Sequence, residues 1–311
     1  MMAGSDGAVL VVGAGGFIGR HVAQAIAART PQRSLIRLVR GALPADAPGE
    51  YLSLEIGDAT VLPLTELLRR HAVRAVVNCA GTTRASEEAQ AADNVGATAA
   101  LLAAIAAYDA TTVFCQLGSG AEYEMLPAPA RTGEDTAANP AGAYGQSKLA
   151  ATEAVLAATA EERVRGYVLR LFNPIGVGMP STQLLGKVLE YLRSPASEPL
   201  QLGSLDSYRD YIDVRDVAAA IAVSLERAGN IRGEVVNIGT GNAQSTRTLI
   251  EQLFDNANRQ FTEDRAGGSA RSKWANWQEA DIGKARRLLG WEPRYSIDDT
   301  LAHLAASVQG A

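Results

Sequence analysis

Two periods of apolar patterning alternate along the first half of the chain. Nearly unbroken β-rich runs predict strands at Ala8–Val12, Ser34–Val39, Tyr51–Glu55, Arg74–Asn78, Thr112–Leu117 and Gly166–Leu171. Between them, apolar residues at helical spacing predict helices over residues 16–28, Leu62–Arg70, Glu88–Tyr108 and Ala141–Ala160. Short continuous apolar runs suit strands that are buried on both faces. Strands separated by helical segments mean βαβ units, so the fold class is α/β: a Rossmann-like, doubly wound parallel sheet with helices on both sides.

After Asn173 the rhythm breaks. Pro174 to Arg209 is rich in Gly, Pro and Ser around one helical piece, Thr182–Leu192. Val214–Ala228 reads as a helix and Glu234–Ile238 as a strand added to the main sheet, while Gly267 to Trp277 reads as a surface loop. Asp281–Leu289 and Asp298–Val308 form a further helical region. The predicted division is a dinucleotide-binding domain over 1–172 plus 210–242, and a smaller, mixed, C-terminal substrate-binding region over 173–209 plus 243–311. No repeat and no flexible linker interrupts the chain.

The first strand runs at once into Gly13-Ala14-Gly15-Gly16-Phe17-Ile18-Gly19. Strand, glycine turn and helix together are the context in which such glycines signify dinucleotide binding. Gly13 allows the tight turn, Gly16 lets the backbone approach a pyrophosphate, and Gly19 lets helix and strand pack closely. The helix start at Phe17 and Ile18 offers N–H donors to the phosphates. Ligands on such sheets collect at the carboxyl ends of the strands, where Asp58, Asn78–Gly81, Ser119 and Asn173 also fall. At the end of the second strand a carboxylate would meet the ribose hydroxyls of NAD, whereas an arginine would meet a 2′-phosphate. Arg40 stands there. The cofactor expected is therefore NADP(H), with NAD(H) possible.

Tyr144-Gly145-Gln146-Ser147-Lys148 opens the predicted helix 141–160. Tyr144 and Lys148, four residues apart, share a face. A cation near a phenol favours its ionised form and brings proton exchange closer to neutral pH. That makes Tyr144 a candidate general acid for turning a carbonyl into an alcohol. A helical Tyr/Lys pair is often only a solvated contact, so its weight comes from its place beside a dinucleotide crevice.

Composition narrows the classes. Hydrophobic residues are 47% and charged residues 20% of 311, as in an ordinary globular protein. The net charge is −5 with no Lys/Arg block, which argues against nucleic-acid and polybasic membrane roles. Cys79 and Cys115 each sit in an apolar run and read as core residues in a reducing compartment. His21, His71 and His303 are scattered, so neither a metal site nor a Ser-His-Asp triad is expected. No apolar run approaches the length of a membrane span and no leader pattern precedes the first strand, so the expected location is cytoplasmic.

These motifs together resemble those of the extended short-chain dehydrogenases/reductases of the NAD-dependent epimerase/dehydratase type. The similarity runs through Gly57-Asp58-Ala59, Asn94-Val95-Gly96-Ala97-Thr98, Leu169-Arg170-Leu171-Phe172-Asn173, Arg209-Asp210-Tyr211-Ile212-Asp213-Val214 and Leu289-Gly290-Trp291-Glu292-Pro293. The resemblance implies that Tyr144 and Lys148 are catalytic and also touch the cofactor. Ser119, four residues before Tyr123, would hydrogen-bond the substrate oxygen. Asp58, with Ala59 beside it, would meet adenine; Asn78, Ala80 and Gly81 would flank the cofactor. Asn173 would lie on the substrate side, and Arg209 would grip the diphosphate of a nucleoside-diphosphate sugar. For Asn94, helix packing and an active-site role stay open. The resemblance also implies a homodimer through helices 88–108 and 141–160.

Departures from the family pattern narrow the activity. In the 4,6-dehydratases of this family an Asp and a Glu directly follow the catalytic Ser/Thr. Here Gly120 and Ala121 follow Ser119, and Glu122 is one place too far along. Segments such as Gly118-Ser119-Gly120-Ala121-Glu122-Tyr123 are most similar to those of the GDP-4-keto-6-deoxymannose reductases, although Pro174 and Glu124 depart from them. The expectation is an NADPH-dependent reductase of a nucleotide-linked 4-keto-6-deoxy-sugar. The alternatives are a nucleotide-sugar epimerase with tightly bound NAD, a reductase of a non-sugar carbonyl, and a non-catalytic dinucleotide-binding protein.

Overall fold

A computed structural model describes residues 7–41, 49–82, 86, 90–196, 198–264 and 277–309. Seven parallel strands form the main sheet in the order β11-β6-β5-β4-β1-β2-β3. They are β1 (Ala8–Val12), β2 (Leu35–Val39), β3 (Glu50–Ser53), β4 (Val73–Asn78), β5 (Val113–Ser119), β6 (Arg165–Leu171) and β11 (Val235–Ile238). The added strand expected at Glu234–Ile238 is β11, which pairs in parallel with β6.

The unbroken apolar runs have a direct structural cause. Val9 and Val11 of β1 enter one hydrophobic cluster, and Ala8, Leu10 and Val12 the other. Alternate side chains of a strand point to opposite faces, and here both faces are covered. The helices Phe17–Arg29 and Val214–Glu226 cover the first face through Val22, Ile26, Val217 and Ile221. The helices Val61–Arg70, Ala97–Tyr108 and Ala143–Ala160 cover the second through Leu64, Leu68, Leu101, Ile105 and Val155.

A third cluster belongs to the smaller region. It gathers Leu185, Val188 and Leu189 of the helix Leu184–Arg193, Leu249, Leu253 and Phe254 of Thr246–Ala257, and Leu301 and Leu304 of Ile297–Gln309. Ala285, Leu289 and Trp291 pack instead against the first face of the main sheet.

Short strands absent from the sequence reading connect the regions. β7 (Pro174–Ile175) pairs with β10 (Ile212–Asp213), and β8 (Leu200–Gly203) with β13 (Phe261–Asp264). β9 (Tyr208–Asp210) lies between β12 (Ala243–Ser245) and β14 (Trp277–Gln278). Strands of two to four residues carry too few positions to show a period, so their pairing is set by tertiary context. Of the loop expected at Gly267 to Trp277, residues 267–276 lie outside the described residues, and Trp277 opens β14. The helix expected at Glu88–Tyr108 is described from Gln90 and includes a π-helical turn, Ala92–Gly96, before Ala97–Tyr108. Such turns are frequent at functional sites.

Candidate active site

The candidate site begins at the glycine turn after β1. Gly13 has φ +73°, and a Cβ there would fall 2.9 Å from the backbone nitrogen of Ala80. A Cβ on Gly19 would lie 2.1 Å from the carbonyl oxygen of Gly13, so only glycine lets helix and turn approach this closely. Gly16 caps the helix Phe17–Arg29 with no side-chain hydrogen bond to its first turn. An N-terminus left uncapped, beside a backbone without side chains, fits an anionic diphosphate. Ile18 packs on the sheet core, and Phe17 stands edge-on to His21 with ring centroids 5.8 Å apart.

The end of β4 supports this turn from below. The Asn78 side chain points into the core: its Nδ2 donates to Gln116 at 2.9 Å, and its Oδ1 accepts from the Ala80 N–H at 3.1 Å. Asn78 therefore shapes the turn that carries Ala80 and Gly81. A Cβ on Gly81, φ +155°, would lie 2.6 Å from Asn94 Oδ1 and 3.0 Å from Lys148 Nζ. Gly81 is thus the point where the β4 loop, the π turn and the lysine converge.

Asn94 belongs to this π turn. It is buried; its Nδ2 donates to the Thr82 carbonyl at 3.2 Å and to Ser147 Oγ at 2.9 Å, and its Oδ1 accepts from the Thr82 N–H. Ser147 Oγ donates in turn to the carbonyl of Tyr144. The π turn is therefore pinned both to the β4 loop and to the helix Ala143–Ala160 that carries Tyr144 and Lys148.

Lys148 is 6% exposed, and its Nζ donates to the carbonyl of Leu117 at 3.0 Å. Tyr144 is half-buried one turn earlier on the same helix. Between them, a Cβ on Gly145 would fall 2.2 Å from the carbonyl oxygen of Ala121. The glycine of this motif lets the tyrosine helix rest directly on the turn that follows Ser119.

Ser119 ends β5 and opens a short turn, Gly120–Glu122, with its Oγ accepting from the Ala121 N–H at 3.1 Å. Glu122, fully buried, holds that turn. Its Oε1 accepts from the Ser119 N–H at 2.7 Å, and its Oε2 accepts from Thr152 Oγ1 at 2.8 Å and Arg170 Nε at 2.7 Å. Thr152 lies one turn beyond Lys148, so a single carboxylate joins the serine turn, the tyrosine helix and β6. The Arg170 guanidinium lies 4.3 Å from the centroid of the Tyr123 ring. Burial works against the charge of Arg170, and Glu122 and Tyr123 outweigh it, holding its pKa above the ordinary value.

Toward the smaller region, Asn173 Nδ2 donates to the Asp210 carbonyl at 3.0 Å and to Gln278 Oε1 at 2.8 Å. The Gln278 Nε2 lies 3.0 Å from where a Cβ on Gly120 would sit, so any side chain at 120 must displace it. Gln278 is opposite Arg209 across the β14–β9 pair. Arg209 Nη1 donates to the carbonyl of Tyr208. Asp210, fully buried, accepts hydrogen bonds from the N–H groups of Thr240, Gly241 and Ala280 and from Thr240 Oγ1, which fixes β9 against the ends of β11 and β14. Ser119, Gly120, Gln278, Asn173 and Arg209 thus form one run from the tyrosine helix to the smaller region. Gln278 carried no signal in the sequence, because a glutamine on a two-residue strand matches no motif.

At the opposite end, Arg40 follows β2, exposed, with its Nη1 3.1 Å from a carboxylate oxygen of Asp93. Asp58 opens the turn Asp58–Thr60, Ala59 is exposed beside it, and the Asp58 side chain lies outside the described residues.

Over 303 residues the chain is 34% identical to a dTDP-6-deoxy-L-talose 4-dehydrogenase (NAD(P)(+)) of Kitasatospora kifunensis, covering 95% of this chain and 94% of that one. It is 28% identical to a GDP-6-deoxy-D-mannose reductase of Pseudomonas aeruginosa, covering 94% of each. The structure of MoeE5 in complex with UDP-glucuronic acid and NAD superposes with a TM-score of 0.82 at 26% identity, covering 98% of this chain and 99% of that one. The model of the NAD dependent epimerase/dehydratase family matches residues 9–239, and the chain belongs to that family.

Proposed function

We propose that the protein is an NADPH-dependent reductase that converts the keto group of a nucleotide-linked 4-keto-6-deoxy-sugar to an alcohol. The observation that carries this reading is the serine turn. Ser119 is placed beside the tyrosine helix, Gly120 and Ala121 offer no acid or base, and both oxygens of Glu122 are engaged in buried hydrogen bonds. Loss of water from a sugar needs a proton removed and returned, which these positions do not supply; a redox step at one carbon needs only a hydride and a proton.

The glycine turn and the uncapped helix fit the diphosphate of a dinucleotide, and Lys148 and Gly81 would help to hold it. A bound nicotinamide cofactor supplies the hydride. Tyr144 gives its proton to the keto oxygen, Lys148 holds the cofactor ribose one turn along the same helix, and Ser119 orients the oxygen. Arg209 has the fork geometry that suits a substrate diphosphate. The deoxysugar dehydrogenase and reductase among the relatives support a substrate of this class. Arg40 supports NADPH, with NADH as a possible second donor.

An epimerase that keeps its NAD bound is the second reading, favoured by UDP-glucose 4-epimerases at 26 and 27% identity. NADPH oxidation against GDP-, dTDP- and UDP-linked 4-keto-6-deoxy-sugars, with NADH in parallel, tests the choice. The reductase consumes NADPH stoichiometrically with one of them. Product formed without net consumption of added cofactor would establish the epimerase.

Exposed Ala99, Ala103 and Ala107 recur every four residues on the helix Ala97–Tyr108. With half-buried Leu149 and Ala150 and exposed Ala157 of the neighbouring helix, where exposed Glu153 is the one charge between them, they make a face of mostly small apolar residues suited to close helix packing. It supports a homodimer through helices 88–108 and 141–160. Sedimentation as a monomer at micromolar concentration would contradict it.

A further inference from the structure

We propose that Asp93 sets the cofactor preference of this protein, by neutralising Arg40 at the adenosine end of the crevice. The proposal rests on the reading of the crevice as a dinucleotide site.

Arg40 and Asp93 are 53 residues apart in sequence, and their ion pair joins two elements that flank the glycine turn. On one side, the N–H groups of Gly13 and Ala14 donate to the carbonyl of Leu38, and a Cβ on Gly15 would lie 3.4 Å from Val39, so the turn rests on the end of β2, next to Arg40. On the other, Asp93 belongs to the π turn whose next residue, Asn94, is hydrogen-bonded to Thr82, directly after the β4 loop that abuts Gly13. Because Asn94 is pinned and buried, the backbone that carries Asp93 is held in place.

The charge consequence follows. A 2′-phosphate carries roughly −1.5 to −2 at neutral pH. An unpaired guanidinium would distinguish it strongly from the neutral 2′-hydroxyl of NAD. Here both contacts to Asp93 come from Nη1, at 3.1 and 3.3 Å, so the Nε and Nη2 edge of the fork is not engaged by Asp93. A phosphate can take that edge, but it meets a guanidinium whose charge is already balanced. The side chains are 64% and 33% exposed, and an exposed pair of this kind is weak enough to rearrange. Asp93 therefore blunts the preference for NADPH and leaves NADH usable.

The test is a set of dissociation constants for NADPH and NADH, read by quenching of tryptophan fluorescence, for wild type, Asp93→Asn, Arg40→Ala and the double variant. Asp93→Asn is expected to tighten NADPH about three- to tenfold, the scale of a unit charge acting on a phosphate ~6 Å away in water. NADH should move by less than about twofold, and the gain should shrink in high salt and in the Arg40→Ala background. Asp93→Ser should reproduce the effect, since it too removes the charge. An NADPH/NADH ratio that is unchanged or lower in Asp93→Asn, or a gain undiminished without Arg40, overturns the proposal alone. Wild-type protein that binds neither dinucleotide overturns the reading of the crevice, and the proposal with it.

Discussion

The two ends of the crevice are built on different principles. At the proposed reacting end, Ser119, Tyr144 and Lys148 are set by buried polar groups with several partners each: Glu122 joins three elements, and Asn94 joins the β4 loop to the tyrosine helix. At the proposed adenosine end, Arg40 is held by an exposed ion pair with Asp93. Low dielectric makes a buried network rigid and costly to break, whereas an exposed pair is weak and screened. On the proposed reading, geometry for the chemistry is locked into the core, while cofactor choice rests on surface charge and can be altered at little risk to the fold.

The largest difference between the ends is expected in activity. Tyr144→Phe removes the proposed proton donor and leaves the helix intact, and turnover of the true substrate should fall about 10²- to 10⁴-fold. Steady-state rates beside an unchanged melting curve check it; turnover within about threefold of wild type would make the tyrosine a bystander.

The next difference is in stability. Glu122→Ala leaves Arg170 buried without its carboxylate, and a broken buried pair costs about 3–5 kcal/mol. Arg40→Ala removes an exposed pair worth less than about 1 kcal/mol. Urea unfolding of both variants measures the contrast, and equal destabilisation would erase it.

The smallest effect concerns Asp213, which ties the sheet side to the smaller region through hydrogen bonds from Arg215 and Thr300. Burial pushes its pKa up, but those hydrogen bonds and the Arg215 charge outweigh it and hold the pKa below the ordinary value. A lowered carboxyl pKa means stability that is present above the unfolded value near ~4 and lost as pH falls through the folded one. The melting-temperature gap between wild type and Asp213→Asn should therefore narrow below about pH 4. A gap that widens in acid would reverse the assigned direction.

What the sequence revealed follows the range of the forces involved. The main strands were legible because burial on both faces writes an unbroken apolar run, as in Ala8–Val12. The glycine turn and the tyrosine pair were legible because their parts are near neighbours in sequence. Glu122 stood out as a departure, yet its role depends on Thr152 and Arg170, 30 and 48 residues away. Gln278 lies 105 residues from Asn173 and on a strand too short to show a period. Such residues become visible only when the chain has folded back on itself.

The most direct measurement of the central claim follows a labelled hydride. NADPH deuterated at the transferring position is supplied with the nucleotide-linked 4-keto-6-deoxy-sugar that supports oxidation, and the product is examined by NMR. The expected result is one deuterium at the former keto carbon, in an amount equal to the NADP formed, with transfer about 10²- to 10⁴-fold slower in Tyr144→Phe. Product without deuterium from the added cofactor would contradict the account, because the hydrogen would then have come from the sugar itself.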